Sequence, residues 1–361
     1  MHALKRFGTA FGGYKMMENY PVPECGPDDI ILEIKAAAIC GADMKHWGVD
    51  NGYDDTNITP DQQQSVRGHE FAGEIVKVGE NVKDWHIGQR VVSDNSAHVC
   101  GVCPACEQGD FLCCEHKVNL GLDNNTWGGG FSKYCKVPGE ILAIHKHAIW
   151  EIPEGIKYEE ACVLDPICNA YKAVAQQSHL IPGQDVVVFG TGPLGLFSVQ
   201  VAKLMGAVNI VMVGLDDDVK VRFGVAKELG ATHCVNGSKE DVVARCTEIC
   251  GRDNLGLVIE CSGANIALKQ AIEMTRPNAE IVRVGMGFKP LEFSINDITA
   301  WNKSIIGHMA YDSTSWRNCI RLLQSGQIKV QPMITHRLGL SQWQEGFDKM
   351  AKKEAIKVIF H

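Results

Sequence analysis

Four cysteines within fifteen residues have the spacing C-x2-C-x2-C-x7-C: Cys100, Cys103, Cys106 and Cys114. Thiolates at this spacing can converge on one tetrahedral zinc ion. Gly109 would let the chain turn back between the third and fourth ligands. A disulfide framework is the alternative, but it is typical of small secreted domains, and this chain has 361 residues. The spacing predicts a structural zinc, and Cys113 leaves the identity of the last ligand open.

A second set of metal-binding residue types lies earlier in the chain. Cys40 stands in Cys-Gly-Ala-Asp, and His69 and Glu70 stand together in Gly-His-Glu. One thiolate, one imidazole and one carboxylate can hold a zinc ion that keeps an open position. Such a zinc can bind an alcohol oxygen and favour its ionised form, so that the carbinol hydrogen departs as hydride. Because single cysteines and histidines are more often structural, this prediction depends on the three acting together.

A glycine-rich turn predicts the site of the hydride acceptor. The apolar run 186–189 is followed by Gly-Thr-Gly-Pro-Leu-Gly, a helical pattern over 194–205 and a second apolar run over 210–213. Strand, turn, helix and strand form the context in which G-x-G-x-x-G binds a dinucleotide. A structural glycine turn without a ligand is the alternative. The expected cofactor contacts are Gly190, Gly192, Pro193, Leu194 and Gly195.

The residue that should bind the cofactor's ribose departs from the usual pattern. NAD-binding chains place an acidic residue at the end of the second strand, whereas this chain has Gly214 there. Three aspartates follow, of which Asp216 is an expected contact, and their charge would repel a 2′-phosphate. An acidic side chain at 214 is expected to favour NAD further. Lys220 and Arg222 are close enough in sequence to leave NADP open.

Length and composition indicate a globular chain of two or three domains. Hydrophobic residues make up 45% and charged residues 22%, which is no disorder signature. A formal net charge of −8 gives a nucleic-acid partner no overall electrostatic support. We find no secretory leader and no apolar stretch of about 18 residues. Together with cysteines that are mostly scattered, these features favour a cytoplasmic protein with no membrane segment.

Other patterns predict the elements that position these groups. Alternating segments such as 30–36 and 72–78 predict strands in the first 150 residues. Beyond about residue 155, apolar runs alternate with helical patterns, and 256–260 and 280–285 predict further strands of a parallel sheet. Helices are also predicted over 266–274 and 315–323, and a closing strand over 356–360.

The chain resembles the medium-chain, zinc-dependent alcohol and polyol dehydrogenases over nearly its whole length. Four blocks carry the resemblance in the family's order: Cys40–Asp43, Gly68–Gly73, the Cys100–Cys114 lobe and Gly190–Gly195. Val258–Gly263 also resembles the family's segment beside the nicotinamide. Ser262 and Val284 are therefore expected near the cofactor.

The resemblance implies an α/β fold of two domains. A GroES-like, β-rich catalytic domain would occupy 1–154, with the four cysteines in a lobe at 95–115. A Rossmann domain with a doubly wound parallel sheet would occupy 155–292, and 293–361 would return to the catalytic domain. The active site would lie in the cleft between the domains. Because relatives are commonly dimers or tetramers, the resemblance also implies a homo-oligomer.

The resemblance also implies roles for particular residues. Cys40 and His69 match the family's catalytic zinc ligands, and Glu70 matches the carboxylate that completes the coordination in many polyol-type members. Asp165 stands where relatives have a carboxylate that binds zinc directly or through water. Asp43 would orient a ligand. The implied cofactors are two zinc ions per chain, one catalytic and one structural, together with NAD, with NADP not excluded.

Two positions differ from the family's pattern. Ala42 stands where relatives usually have the serine or threonine that relays the alcohol proton. Water, Lys45 or His46 is therefore the predicted route for the proton, and a solvated basic pair is the alternative reading of the two side chains. Ala310, before Tyr311, stands where sorbitol dehydrogenase-like enzymes have arginine, which weakens an assignment to sorbitol in particular.

The predicted reaction is the reversible oxidation of a secondary alcohol to a ketone, with hydride transfer to NAD(P). The segment 165–170 resembles L-threonine 3-dehydrogenases as closely as it resembles polyol enzymes. Trp47, the segment Tyr53–Thr56 and Tyr311 could line a pocket for a hydroxylated chain, which favours a polyol or sugar derivative. L-Threonine is the alternative substrate. A catalytically inactive relative with a binding or structural role is the non-enzyme alternative.

Overall fold

The computed structural model describes residues 1–7, 13–47, 64–123, 126–287 and 289–361, without the side chains of Lys45 and His46. Its strands are β1 (Ala3–Arg6), β2 (Tyr14–Met17), β3 (Ile30–Ala38), β4 (Glu70–Val78), β5 (Arg90–Ser93), β6 (Ser96–His98), β7 (Val118–Asn119), β8 (Tyr134–Val137), β9 (Ile149–Glu151), β10 (Val186–Phe189), β11 (Ile210–Gly214), β12 (His233–Asn236), β13 (Leu257–Glu260), β14 (Glu280–Arg283), β15 (Ser304–Gly307), β16 (Ile334–Leu338) and β17 (Lys357–Phe360). Its helices are α1 (Pro104–Glu107), α2 (Gly139–Ile144), α3 (Tyr158–Ala161), α4 (Leu164–Tyr171), α5 (Pro193–Leu204), α6 (Arg222–Leu229), α7 (Val242–Cys250), α8 (Asn265–Met274), α9 (Asn296–Ala300), α10 (Ser313–Gln324) and α11 (Trp343–Ala351).

Met1–Asp165, Asp312–Ile320 and Ile334–His361 form one compact unit. Its main sheet has seven strands in the order β16-β17-β3-β4-β5-β9, with β8 paired to β3. Strands β3 and β4 are antiparallel, and Ala38 at the end of β3 pairs with Glu70 at the start of β4. The chain leaving β3 and the chain entering β4 therefore meet at one end of the sheet.

Pro166–Tyr311 and Arg321–Met333 form the second compact unit. Its six-stranded sheet has the order β12-β11-β10-β13-β14-β15, and all its strand pairs are parallel. Val186–Phe189 is buried throughout, as expected for the continuous apolar strands of parallel sheets. Strand order reverses beside β10, which is the switch point where open α/β sheets bind ligands.

The structure confirms the elements predicted from periodicity, including the helices over 194–205, 266–274 and 315–323. The combination of a β-rich unit with a parallel Rossmann sheet is also confirmed. The domain limits at 154 and 292 remain predictions. The first compact unit runs to Asp165, and the segment 293–361 is divided between the two units. No helix within the described ranges is long and apolar enough to cross a membrane.

Candidate active site

The register of β3 and β4 brings together three side chains that are suited to metal binding. Cys40 lies two residues beyond β3, His69 lies immediately before β4, and Glu70 begins β4. Each offers one ligand atom, and the three atoms all lie within 4.8 Å of one another. The predicted set of thiolate, imidazole and carboxylate is therefore assembled at one end of the sheet.

Glycine at position 68 is needed to bring the chain into β4 at this point. Gly68 has φ +90°, a conformation that side-chain-bearing residues rarely adopt. A Cβ there would also lie only 2.6 Å from the ring of the buried Phe131. Packing and backbone conformation together exclude any larger residue before His69.

The three side chains fit a divalent metal ion. His69 and Glu70 are buried, and within the described chain His69 Nδ1 and Glu70 Oε1 have no hydrogen-bond partner. Burial and the charge of Glu70 raise the pKa of the Cys40 thiol, although the ammonium group of Lys357 opposes this effect. A zinc ion would favour the thiolate and would provide the ligand atoms with a partner.

Asp43 lies between the Cys40 backbone and the His69 ring and supports both. Its Oδ2 accepts a hydrogen bond of 3.0 Å from the backbone N–H of Cys40. Its Oδ1 lies 3.6 Å from Arg67 Nη2 and 3.9 Å from His69 Nδ1. Asp43 is fully buried, so Arg67 supplies countercharge for its carboxylate. Sequence reasoning anticipated Asp43 but missed Arg67.

Lys357 is a second residue that sequence reasoning missed. Its Nζ forms an ion pair with Glu70 Oε2 and donates a hydrogen bond of 3.1 Å to the carbonyl oxygen of Ile39. Both charged side chains are only 1% exposed. The ammonium group compensates the buried carboxylate while Glu70 Oε1 stays available for a metal. The signal in the sequence was a lysine within the apolar strand 356–360.

The other residues predicted near this site are placed differently. Asp165 accepts a hydrogen bond of 3.1 Å from Asn95 Nδ2, and it is not part of the group of three ligand atoms found among the described residues. Trp47 packs against Trp343 and Phe347, with ring centroids 5.4 and 5.7 Å away. Trp47 is therefore part of an aromatic cluster in the first unit.

Two further predictions depend on side chains or segments that the structure does not describe. Lys45 and His46 lie in a 3-10 helix, Asp43–His46, but their proposed proton relay depends on side chains that are not described. The predicted pocket segment Tyr53–Thr56 also falls outside the described ranges.

The four-cysteine group forms a separate candidate metal centre. The sulfur atoms all lie within 4.8 Å of one another: Cys100, Cys103, Cys106 and Cys114. Gly109 has φ +80°, as expected for the residue that turns the chain back. Cys114 is buried within the group, whereas Cys113 is exposed and outside it. All fifteen cysteines of the chain lie in described ranges, and none forms a disulfide.

The glycine turn after β10 has the shape that a dinucleotide requires. Gly190 has φ +94°, and a Cβ at Gly195 would collide with the carbonyl oxygen of Gly190. A Cβ at Gly192 would meet no described atom within 4 Å, so the backbone there is open to a pyrophosphate. Pro193 and Leu194 begin α5, whose first N–H groups carry the positive end of the helix dipole.

Position 214, at the end of β11, is crowded. A Cβ at Gly214 would lie 2.6 Å from both the Phe223 ring and the Thr191 methyl group, and 3.0 Å from Asp218 Oδ2. An acidic side chain at 214 would therefore fit only if these neighbours moved, and its effect on the preference for NAD stays a prediction. The Asp218 carboxylate lies beside this position. Its Oδ2 accepts a hydrogen bond of 2.8 Å from Leu215 N, and its Oδ1 accepts one of 3.2 Å from Arg222 Nη1.

Asp216 and Val284 lie near the same edge of the sheet but have different surroundings. Asp216 is half-exposed and pairs with Asn236 Nδ2 at 2.7 Å and Lys239 Nζ at 3.2 Å. Hydrogen bonds from these two residues lower the pKa of its carboxyl group. Val284 is buried directly after β14, and its N–H donates a hydrogen bond of 2.8 Å to the carbonyl oxygen of Glu260.

Comparison with known proteins agrees with both units. The alcohol dehydrogenase GroES-like domain family matches residues 26–147, and the zinc-binding dehydrogenase family matches residues 193–325. A protein of Escherichia coli (strain K12), described as an uncharacterized zinc-type alcohol dehydrogenase-like protein YdjL, is 78% identical over 359 residues, covering 99% of this chain and 98% of that protein. The chain belongs to the zinc-type, medium-chain alcohol and polyol dehydrogenase family, and is an oxidoreductase of that type.

More distant relatives differ in substrate. A sorbitol dehydrogenase of Halalkalibacterium halodurans is 30% identical, covering 99% of this chain and 98% of that one. An L-threonine 3-dehydrogenase of Rhizobium rhizogenes is 32% identical, covering 95% and 94%. The crystal structure of 2R,3R-butanediol dehydrogenase from Bacillus subtilis has a TM-score of 0.84 at 29% identity, covering 100% and 99%. The family therefore implies zinc and a nicotinamide cofactor but spans several alcohols.

Proposed function

We propose that this chain reversibly oxidises a secondary alcohol of a polyol or sugar derivative to a ketone, with NAD as hydride acceptor. The observation that carries the proposal is the group of Cys40, His69 and Glu70, whose ligand atoms lie within 4.8 Å of one another. His69 and Glu70 are buried, and within the described chain Glu70 Oε1 has no hydrogen-bond partner, while His69 Nδ1 has none and lies 3.9 Å from Asp43 Oδ1. Such a group is costly to maintain unless a metal binds it.

The proposal gives each residue a distinct task. Zinc, when bound, supplies positive charge that favours the ionised form of an alcohol, and the nicotinamide takes up the hydride. Cys40, His69 and Glu70 hold the metal, and Asp43 fixes the Cys40 turn. Burial and Glu70 raise the pKa of the Cys40 thiol, and the charge of Asp165 adds a smaller contribution. Asp165 serves as a further ligand or as an orienting group. Proton release through water, Lys45 or His46 completes the proposal.

NAD is the preferred cofactor in this proposal. Its pyrophosphate would bind the turn formed by Gly190, Gly192, Pro193, Leu194 and Gly195, with Ser262 and Val284 near the nicotinamide. A 2′-phosphate needs a cation, but Arg222 is already hydrogen-bonded to Asp218 and Lys239 is paired with Asp216, which leaves the exposed Lys220 as the candidate. Carboxylates beside Gly214 therefore favour the unphosphorylated ribose.

The four-cysteine lobe would hold a second, structural zinc, because its four thiolates leave no position for a substrate.

We also propose a homo-oligomer. β15 is an edge strand of the six-stranded sheet, and its Ile305 is exposed. Trp301 and Met309, on either side of β15 in sequence, are exposed as well. An apolar sheet edge of this kind favours pairing with another chain.

L-Threonine is the alternative substrate, supported by the relatives with that activity at 31–32% identity. A panel of tetritols, pentitols, hexitols and L-threonine, each assayed with NAD and NADP, separates the candidates. We expect the highest kcat/KM with a polyol and NAD. A higher value for L-threonine would replace the substrate proposal and leave the reaction class intact.

Zinc analysis tests the non-enzyme alternative. A working dehydrogenase of the proposed kind contains two zinc ions per chain. One zinc per chain, together with no turnover of any alcohol in the panel, would indicate an inactive relative that retains only the four-cysteine site.

A further inference from the structure

Glu260 is a fully buried carboxylate at the carboxyl end of β13. β13 pairs with β10, and Glu260 is in register with Phe189, the residue before the glycine turn. A buried carboxylate requires donors in its surroundings, because burial penalises its charged form. The position of those donors shows what the side chain holds in place.

One oxygen of Glu260 organises the loop between β13 and α8. Oε1 accepts hydrogen bonds from Ser262 N at 2.7 Å, Ser262 Oγ at 2.5 Å and Gly263 N at 2.9 Å. Ser262 Oγ in turn accepts a hydrogen bond of 3.2 Å from Ala264 N. The carboxylate thus fixes the direction of three consecutive backbone N–H groups, directly or through the Ser262 hydroxyl.

This loop packs backbone against backbone with two neighbouring segments. A Cβ at Gly190 would lie 3.0 Å from Ser262 N, so the glycine turn rests directly on the loop. A Cβ at Gly263 would collide with the carbonyl oxygen of Met286, and a Cβ at Gly285 would collide with Gly263 N. Because no side chains cushion these contacts, a shift of the loop would move the glycine turn.

The second oxygen of Glu260 faces β14. Oε2 lies 3.9 Å from Arg283 Nε, and Arg283 is the register partner of Glu260. The carbonyl oxygen of Glu260 also accepts hydrogen bonds of 2.8 Å from the N–H groups of Val284 and Gly285. Burial raises the pKa of Glu260, whereas the Ser262 and Gly263 hydrogen bonds and the Arg283 charge oppose that rise.

We infer that Glu260 is a positioning residue for the dinucleotide site, whose carboxylate holds the Ser262–Gly263 loop as the wall behind the glycine turn. The inference rests on the proposed nicotinamide cofactor. It also changes the predicted role of Ser262, whose hydroxyl donates to Glu260 and accepts from Ala264. Ser262 supports the cofactor through the position of its backbone.

Glu260→Gln tests the inference with little change of shape. A neutral amide accepts weaker hydrogen bonds than a carboxylate does. We expect the Kd for NADH, measured by equilibrium fluorescence titration without any alcohol, to rise about tenfold, which corresponds to roughly 1.4 kcal/mol. Ser262→Ala removes one of the three donors and should raise Kd about threefold, or roughly 0.7 kcal/mol.

Glu280→Gln is the matched control in the same sheet. Glu280 begins β14, at the opposite end of the strands from Glu260. It accepts hydrogen bonds from His179 N and Nδ1 at 2.9 and 2.5 Å. Its replacement should leave the Kd for NADH within twofold of wild type. Thermal unfolding of each variant separates the two roles, since a purely structural role lowers the melting temperature without changing Kd well below it.

The outcomes are distinct. An unchanged Kd in a folded Glu260→Gln variant overturns the inference, whatever its melting temperature. If that variant does not fold, Ser262→Ala decides, and an unchanged Kd again overturns the inference. A wild-type protein that binds neither NADH nor NADPH contradicts the proposed function itself.

Discussion

The two candidate metal centres of this chain are assembled in opposite ways. The four-cysteine group comes from fifteen contiguous residues, so short turns alone bring its sulfur atoms together. The second group takes Cys40 and His69 from the ends of two strands, and Lys357 from a strand far along the sequence. In the first group the sequence spacing alone determines which side chains come together, whereas in the second this depends on the register of the sheet.

The chemical surroundings of the two groups differ as well. The cysteine group has one type of donor, and two of its members, Cys100 and Cys103, are half-buried. The second group is more deeply buried and combines a thiol, an imidazole and a carboxylate with a lysine countercharge. Uniform, saturated ligands favour stability, while a mixed and incomplete set favours reactivity.

Cys40→Ala should have the largest effect of any change in either group. Loss of the catalytic zinc should lower kcat/KM for the best alcohol by about 10⁴-fold, or roughly 5 kcal/mol. Zinc content should fall from two ions to one per chain, because the cysteine group keeps its own. Full activity in this variant would refute the assignment of the reaction to Cys40, His69 and Glu70.

Cys114→Ser should act on stability more than on chemistry. Removing one of four thiolates should lower the free energy of unfolding by about 4 kcal/mol, because loss of a bound metal is among the changes with large destabilising effects. The measurement is chemical denaturation together with kcat per folded chain, which should fall less than tenfold. Cys113→Ser is the matched control: Cys113 is exposed and outside the group, so neither quantity should change. Equal effects of the two substitutions would remove the distinction between these neighbours.

Lys357→Met should leave the Glu70 carboxylate buried without its countercharge. We expect the free energy of unfolding of the metal-free protein to fall by about 3 kcal/mol. The loss should be smaller in the zinc-loaded protein, because the metal then compensates Glu70. Lys352→Met serves as control, since Lys352 is exposed on the segment before β17. Equal unfolding curves for the two variants would show that Lys357 contributes no specific compensation.

Asn95→Asp should have the smallest effect and should act on the second group alone. Asn95 has φ +62°, which aspartate also tolerates, but an aspartate cannot donate the hydrogen bond that Asp165 accepts. If Asp165 serves the zinc, chelator competition should show about tenfold faster loss of one zinc ion per chain. Asn278→Asp, at an exposed residue with φ +57°, should change nothing. A faster loss of both ions would mean that the two centres are not independent.

The sequence predicted what is encoded locally. The glycine turn is an example: it follows a strand and precedes a helix, Gly190 has a positive φ, Gly195 makes a close contact, and Gly192 leaves the backbone open as expected. Gly214 shows the limit of such reasoning, because Phe223 and Thr191 occupy the space that an acidic side chain would need. Nothing in the sequence around Gly214 predicts that these side chains crowd the position.

Long-range partners were beyond prediction for a related reason. Arg67 and Lys357 compensate buried carboxylates that lie on other elements, and nothing in their own neighbourhoods identifies those partners. A lysine in an apolar strand predicts only that some buried anion exists. Glu260 is similar, since its three donors follow it directly but its role depends on the packing of Gly190 against Ser262.

The ion pair between Glu70 and Lys357 also sets an order of events during synthesis. The two residues are 287 positions apart in sequence. A ribosome adding roughly 5–20 residues per second needs about 15–60 s to proceed from one to the other. Throughout that interval Glu70 has no Lys357 to pair with, so the buried arrangement around it is completed only when β17 joins the sheet. The charge compensation of Glu70 therefore depends on one of the last residues of the chain to be synthesised.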